Sequence, residues 1–248
     1  MAIPRRIGVI VPSTNQVVEP DFNMAVPRGV TVHAERMWLE GPSEPGGGDG
    51  IELLTMNSDI ERSAKYVASA SVEVIAYGCT SGTYRTGSIA YSKAISEQIT
   101  EASGGVPAIT AMEASLEAMK AAGSKLISVV GPYGPTLLEQ GLKPLLEESG
   151  FNVASVKGEP EMQQRTHHGA IGNQDPELIF EFVTRAASED ADTVYIPGTA
   201  WRALEIVEEL EKRLNKTVIT VNQATIWKAL RMIGVNSTIN GFGSLLSI

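Results

Sequence analysis

Cysteine and histidine are scarce in this 248-residue chain, which holds one cysteine, Cys79, and three histidines. A single cysteine excludes an intrachain disulfide and a cysteine-cluster metal site, and it is typical of proteins of the reducing cytoplasm. His167 and His168 are adjacent, but no Asp, Glu or Cys accompanies them at ligand spacing. We therefore expect no metal site and a cytoplasmic location.

Positive charge is also in short supply, with 20 Lys and Arg against 29 Asp and Glu and a net charge of −9. Because binding to polyphosphate needs a basic face, we expect no nucleic-acid partner. The apolar run that follows Arg6 is interrupted at Pro12, too early for a signal sequence or a membrane span. The expectation is a soluble protein with no membrane partner, and a homo-oligomer, as is common at this size.

Nucleotide-binding fingerprints are missing too. The chain has no Walker sequence and no GxGxxG motif that follows a strand and opens a helix. Its most Gly- and Pro-dense segment, residues 41–50, is predicted to be a surface loop able to act as a lid. We expect no cofactor.

Short β-forming runs alternate along the chain with segments of helical spacing. The predicted strands are residues 7–11, 30–37, 74–77, 106–110, 125–130, 151–156, 193–196 and 218–221. The predicted helices are residues 51–71, 89–102, 136–149, 176–187, 203–214 and 225–233. This alternation implies parallel sheets joined by right-handed crossovers.

Two pairs of segments repeat at an offset of about 120 residues. The first pair is IGVIVPSTN and ISVVGPYGP, and the second is IAYGCTSGT and VYIPGTAWR. We predict an α/β fold with two pseudo-symmetric Rossmann-like halves, each with a parallel sheet of about four strands, and an active site in the cleft between them. Residues 1–112 with 225–248 would form the N-terminal half and residues 113–224 the C-terminal half, with the last helix crossing back.

Cys79 lies in the most informative stretch, where the apolar run 74–77 breaks into a small polar turn. This pattern predicts a buried strand that places a thiol at its carboxyl end, where open parallel sheets bind ligands. Backbone N–H groups beside the thiol would favour the thiolate, so we expect a reactive Cys79 with a lowered pKa. The alternative is a small buried apolar cysteine without chemistry.

Two other strand ends carry polar candidates. Ser13, Thr14 and Asn15 follow the first strand, where Asn15 either donates to a carboxylate or caps a helix. Tyr133 lies at the equivalent strand end of the second half, where its phenol either donates to an oxyanion or simply packs.

Four segments carry a family resemblance: GVIVPSTNQVVEPDF, AYGCTSGT, VVGPYGPTLLEQ and VITVNQATIWKALRMIG. With them the chain resembles the maleate isomerase and arylmalonate decarboxylase branch of the aspartate/glutamate racemase superfamily. The resemblance implies a cofactor-free site between two α/β halves. It also implies that Asn15 contacts a substrate carboxylate, Cys79 is the cysteine of the isomerases and racemases, Thr80 and Ser81 form an anion-binding turn, and Tyr133 is a donor.

The departure from the family pattern is Gly198, which stands where the family usually has a second cysteine. On the duplicated geometry Gly198 and Cys79 face each other across the cleft. With Ser13 and Thr199, Gly198 completes the predicted substrate-binding set.

The missing second thiol orders the possible reactions on a small dicarboxylic acid. A two-base racemase needs an acid or base on each wall, so racemisation is the least favoured reaction. Maleate cis–trans isomerisation needs one nucleophile and is preferred. Decarboxylation of an arylmalonate or similar acid is the alternative, because it needs one proton donor. A binding protein without turnover is the remaining hypothesis.

Overall fold

Eight strands form the framework of the protein in a computed structural model, which describes residues 3–40, 51–84, 86–165 and 167–248. The strands are β1 (Arg5–Pro12), β2 (Val30–Met37), β3 (Val74–Tyr77), β4 (Ala108–Thr110), β5 (Leu126–Gly131), β6 (Asn152–Gly158), β7 (Thr193–Ile196) and β8 (Thr217–Thr220). All eight predicted strands are present.

The strands form two four-stranded parallel sheets with the same internal order. The first sheet has the order β2-β1-β3-β4 and the second β6-β5-β7-β8. In each sheet the two central strands are fully buried along most of their length, as expected where helices cover both faces. The predicted α/β fold with two similar halves is confirmed.

Eleven α-helices occur in the described residues. They are α1 (Val18–Ala25), α2 (Ile51–Asn57), α3 (Ile60–Ala68), α4 (Ser81–Tyr84), α5 (Ile89–Ala102), α6 (Ala111–Ala121), α7 (Pro135–Leu137), α8 (Lys143–Glu148), α9 (Pro176–Ala186), α10 (Val207–Leu214) and α11 (Val221–Met232). Short 3₁₀ segments cover Met162–Gln164, His168–Asn173, Leu204–Ile206 and Ser244–Ser247.

Two predicted helices are interrupted. The helix predicted over 51–71 divides into α2 and α3 at Ser58 and Asp59, whose N–H groups bond to the carbonyls three residues back instead of four. The helix predicted over 136–149 contains a π-helical turn, Leu138–Leu142, between α7 and α8. Pro144 lies at the start of α8 and has no N–H for the ladder, which accounts for the irregular turn before it.

Two helices have starts that the apolar spacing did not reveal. Helix α6 was not predicted, and α11 begins four residues before the predicted 225. Both open with a capping box, in which Thr110 pairs with Glu113 and Thr220 pairs with Gln223. Each follows the last strand of its sheet, so the two helices are equivalent in the duplicated halves.

The equivalent helices α6 and α11 pack along each other and connect the halves. Helix α11 also contacts α1, β3 and β4, so the last helix does cross back onto the first half. One continuous apolar core includes residues of both sheets, and a second one lies between the first sheet and α3 and α5. The division at residues 112 and 225 stays a prediction. None of the helices in the described ranges is long and apolar enough to cross a membrane.

Candidate active site

A cavity lies where the carboxyl ends of the four central strands converge from both halves. The space in it for the centres of water-sized molecules is about 40 Å³. Its described lining consists of Pro12, Thr14, Asn15, Leu39, Glu52, Leu53, Cys79, Ser81, Tyr133, Leu137, Arg165, Ile171, Thr199 and Ala200. A mostly apolar wall with a few polar groups and room for a few waters suits a small ligand.

Cys79 follows β3 and is 3% exposed, with its thiol at the cavity. Burial raises the pKa of the Cys79 thiol, although hydrogen bonds from the Gly82 N–H and the Ser81 hydroxyl oppose this. The Ser81 oxygen is 3.8 Å from the sulfur. The expectation of a lowered pKa is therefore wrong for this structure, because the loss of hydration outweighs the donors around the sulfur.

A hydrogen-bonded group behind Cys79 fixes the turn that carries it. The Tyr77 hydroxyl donates to Asn57 Oδ1 over 2.5 Å, and Asn57 Nδ2 donates to the Gly82 carbonyl over 3.0 Å. A Cβ at Gly82 would lie 2.6 Å from the Tyr77 hydroxyl and 3.2 Å from the Cys79 sulfur. Only glycine lets this backbone approach the thiol so closely.

The Asn15 side chain caps the start of a helix and also lines the cavity, whereas its binding of a carboxylate stays a prediction. Its Oδ1 accepts from the N–H groups of Val17 and Val18 at 2.9 and 3.0 Å, at the start of α1. Its Nδ2 lies 3.4 Å from Thr199 Oγ1, to which it donates weakly, at the cavity wall. Since the oxygen is fixed by the helix start, the amide N–H₂ is oriented as a donor towards a ligand.

Tyr133 follows β5 and is 5% exposed. Burial is the main reason why the pKa of the Tyr133 phenol is raised, and the neighbouring Cys79 raises it further. The phenol therefore keeps its proton at neutral pH and can donate a hydrogen bond to an anionic oxygen. Tyr133 lines the cavity, and its role as a donor to a substrate stays a prediction.

Three of the predicted site residues lie outside the described lining of the cavity. Ser13 accepts from the Leu39 N–H at 3.0 Å, and it thereby joins the end of β1 to the segment after β2. The Thr80 hydroxyl donates to the Pro197 carbonyl over 2.8 Å and ties together the turns that follow β3 and β7. Both side chains support the turns around the cavity.

Gly198 is the third of these residues. A Cβ there would lie 2.8 Å from two carbons of the Pro132 ring, so the missing side chain points at that ring. The neighbouring Thr199 does line the cavity, as predicted. The predicted arrangement of Gly198 facing Cys79 across the cleft therefore needs correction, since the proline fills the space in front of it.

Sequence reasoning missed the two charged residues of the lining, Glu52 and Arg165. Glu52 lies in the first turn of α2, and Arg165 directly follows the 3₁₀ segment Met162–Gln164. Neither residue is at a strand end, and the sequence prediction of the site rests on polar side chains at strand ends. The run of polar residues around Arg165 gave no periodic signal that could have singled it out.

The predicted lid, residues 41–50, and the side chain of His168 lie outside the described residues. Within the described part of the chain, no group of three or more His, Cys, Asp or Glu is placed to hold a metal ion.

Comparison with known proteins gives consistent matches over nearly the whole chain. A family model described as arylmalonate decarboxylase matches residues 7–246. The maleate isomerase of Pseudomonas putida is 26% identical over an alignment 254 residues long, which covers 98% of this chain and 97% of that protein.

Two solved structures have the same fold. One is a cysteine-to-alanine variant of the maleate isomerase Iso from Pseudomonas putida S16 with maleate (TM-score 0.87, 23% identity, 98% of this chain and 97% of that chain). The other is a cysteine-to-serine variant of the Nocardia farcinica maleate cis–trans isomerase with a covalently bound succinylcysteine intermediate (TM-score 0.86, 23% identity, 98% of both chains).

Proposed function

The chain belongs to the arylmalonate decarboxylase family, and on that premise we propose that it is a cysteine-dependent enzyme that isomerises a small cis-unsaturated dicarboxylic acid such as maleate. The family match and the maleate isomerase relatives support an isomerase or a decarboxylase. The geometry of the cavity is our reason for placing isomerisation first.

The observation that carries the proposal is a single thiol at a small cavity that also holds two neutral donors. Cys79, Asn15 and Tyr133 all line the cavity, whereas Gly198 brings no second thiol. One nucleophile is sufficient for isomerisation by addition and elimination.

In the proposed reaction the Cys79 thiol first loses its proton to solvent. The thiolate then forms a C–S bond with one alkene carbon, and the π electrons move to the other alkene carbon and into its carboxylate. The former double bond is now single and rotates. The electron pair returns, the C–S bond breaks, and the trans acid leaves with the thiolate regenerated.

Asn15 and Tyr133 would stabilise the intermediate of this reaction. Charge accumulates on the oxygens of the carboxylate next to the carbanion, and fixed donors in a buried site stabilise such charge strongly. The Asn15 amide is oriented by its bonds to α1, and the raised pKa keeps the Tyr133 phenol protonated. Both donors are therefore in place before the charge develops.

Decarboxylation is the second candidate, and the raised pKa of Cys79 favours it. A thiol that keeps its proton at neutral pH is ready to act as an acid. Loss of CO₂ from a malonate-type acid leaves an electron pair in an enediolate, and the Cys79 proton would transfer to its carbon. The thiolate would then regain a proton from water.

Proton NMR of the purified protein with maleate and with phenylmalonate tests the proposal. We expect fumarate from maleate, turnover that survives exhaustive chelation, and no turnover by Cys79→Ser, because a serine without a partner base stays protonated. Intact-mass measurement during turnover should show Cys79 carrying one maleic acid.

Other outcomes would change the assignment. Release of CO₂ from phenylmalonate by unmodified protein, with no reaction of maleate, would replace isomerisation by decarboxylation. Turnover of maleate by folded Cys79→Ser would remove the thiol from the mechanism. If neither acid reacts, the hypothesis of a binding protein without turnover would be preferred.

A further inference from the structure

Arg165 is a buried cation at the cavity that the proposed reaction does not use. It is 5% exposed and belongs to the cavity lining. Its Nη1 donates to the Met162 carbonyl over 2.7 Å and to the Pro132 carbonyl over 3.3 Å. Its Nε is fully buried and has no hydrogen-bond partner among the described residues. Two carbonyls thus hold the guanidinium in place, and its Nε–H is a donor without a partner among the described residues.

A guanidinium in this position is costly without an anion. Arginine stays protonated in proteins, and a buried charge is expensive unless it is paired. Burial lowers the pKa of Arg165, and the neighbouring Tyr133, Glu52 and Tyr84 oppose this only in part. Glu52 is the acidic residue in the described lining of the cavity. A single carboxylate does not saturate the five N–H donors of a guanidinium, so the group can take up a second anion.

The position of Arg165 relative to the other donors indicates which anion this is. Its guanidinium carbon lies 5.7 Å from the centre of the Tyr133 ring, on the wall contributed by the second half. Asn15 and Cys79 belong to the first half. A ligand that contacts both Asn15 and Arg165 therefore spans the two walls of the cavity, and an acid with a carboxylate at each end matches the donors on these walls.

We propose that Arg165 binds the second carboxylate of the substrate and so makes the enzyme selective for dianionic acids over half-amides and monoacids. The inference rests on the proposed function only for the identity of the first carboxylate, held by Asn15. Arginine is suited to this task because its planar fork binds a carboxylate through two parallel hydrogen bonds. Arg165 is then a specificity-determining residue.

A purely structural role makes a different prediction. If the bonds to Pro132 and Met162 only hold the turn that carries Tyr133, loss of Arg165 would weaken the binding of every acid equally. If Arg165 binds a carboxylate, its loss weakens the binding of dianions selectively. The ratio of affinities for a dianion and its half-amide separates the two roles.

The first experiment uses the wild-type protein and does not need turnover. Succinate, succinamate and butyrate are compared as protectants of Cys79 against alkylation. We expect succinate to protect at concentrations about tenfold to a hundredfold lower than succinamate, as for a hydrogen bond to a charged group in a buried site. Equal protection by the three acids would refute the inference, whichever reaction the enzyme catalyses.

The second experiment repeats the series with Arg165→Gln and Arg165→Lys, and with Arg213→Gln as control. Arg213 is exposed on α10, so the control removes the same charge far from the cavity. We expect the preference for succinate to be lost in Arg165→Gln, kept in part in Arg165→Lys and unchanged in Arg213→Gln. A preference that persists in folded Arg165→Gln would refute the inference. If Arg165→Gln does not fold, the wild-type series still tests the inference, because equal protection by the three acids would refute it.

The inference and the proposed function fail in different ways. A protein that prefers succinate through Arg165 but turns over no acid would refute the proposed function and leave the carboxylate site standing. A protein that isomerises maleate but does not distinguish succinate from succinamate would refute only the role of Arg165.

Discussion

Burial and hydrogen bonding act on the Cys79 thiol in opposite directions. The donors of Gly82 and Ser81 favour the thiolate, but the effect of lost hydration is larger and the pKa of Cys79 is raised. A buried thiol with a raised pKa is inert until it is deprotonated. The two candidate reactions therefore need opposite protonation states of the same residue.

The pH dependence of turnover follows from this difference. For isomerisation kcat/KM should rise with pH through and beyond the free-thiol value of about 8.5, because the thiolate is the nucleophile. For decarboxylation it should fall over the same range, because the thiol is the proton donor. Initial rates from pH 6 to 10 measure the sign of the slope.

Alkylation of Cys79 by iodoacetamide in the unliganded protein provides the control for this profile. We expect an apparent pKa above about 8.5, since burial raises it in the empty cavity. A lower apparent value would contradict the raised pKa and would show that the donors around the sulfur prevail over burial.

The turns after β3 and β7 are equivalent in the duplicated fold, but different side chains pack against them. Gly82 in the first turn leaves room for the Tyr77 hydroxyl beside Cys79. Gly198 in the second turn leaves room for the Pro132 ring, which approaches from the turn after β5. The second half therefore has a proline ring packed against the position where the family pattern has a thiol.

Substitution of Gly198 tests this packing. In Gly198→Ala the new Cβ would lie 2.8 Å from the Pro132 ring, so we expect the free energy of unfolding to fall by about 1–3 kcal/mol, as for other overpacked sites. Gly134→Ala is the matched control, because a Cβ at Gly134 meets nothing within 4 Å. Urea unfolding of both variants measures the difference. Equal free energies of unfolding for the two variants would show that the turn accommodates the added Cβ without a loss of stability.

The regular elements were largely readable from the sequence, and their ends and interruptions were not. Apolar runs revealed the central strands, which are buried on both faces, and the partly exposed edge strand β2 was revealed by alternation. The break between α2 and α3 lies at Ser58 and Asp59, and the π turn precedes Pro144; the spacing of apolar residues indicates neither. The sequence does contain a pattern that indicates the start of α6, namely the capping box formed by Thr110 and Glu113.

Across the whole molecule, residues at strand ends could be placed in the cavity from the sequence, since parallel strands end at the same edge of a sheet. Asn15, Cys79, Ser81, Tyr133 and Thr199 were found in this way. Arg165 and Glu52 enter the cavity from an irregular segment and a helix start. Their positions depend on how the two halves pack together, which local patterns do not encode.

One buried network crosses between the halves and reaches the cavity. Asn222 on α11 donates to Asp21 Oδ2 on α1 over 2.7 Å and to the Thr199 carbonyl over 2.9 Å. Thr199 in turn accepts from Asn15. Asp21 is 1% exposed, and its burial is the main reason why its pKa is raised to about 7. The junction therefore contains a carboxyl group that keeps its proton up to neutral pH.

Asp21 should make the stability of the whole protein depend on pH in an unusual direction. In the unfolded chain the carboxyl loses its proton near pH 3.9, whereas in the folded protein it keeps the proton until about pH 7. The folded state binds the extra proton between these values, so its stability falls as the pH rises from about 4 to about 7, by about 4 kcal/mol for the full shift.

Asp21→Asn keeps an acceptor for Asn222 and cannot ionise, so between pH 5 and 8 its stability should fall less than that of the wild type. Urea unfolding at pH 5, 6, 7 and 8 measures this difference. Asp59→Asn is the control, because its ion pair with Arg62 lowers the pKa of Asp59 and leaves it charged over this whole range. Parallel stability curves for the wild type and Asp21→Asn would show that Asp21 is already ionised in the folded junction.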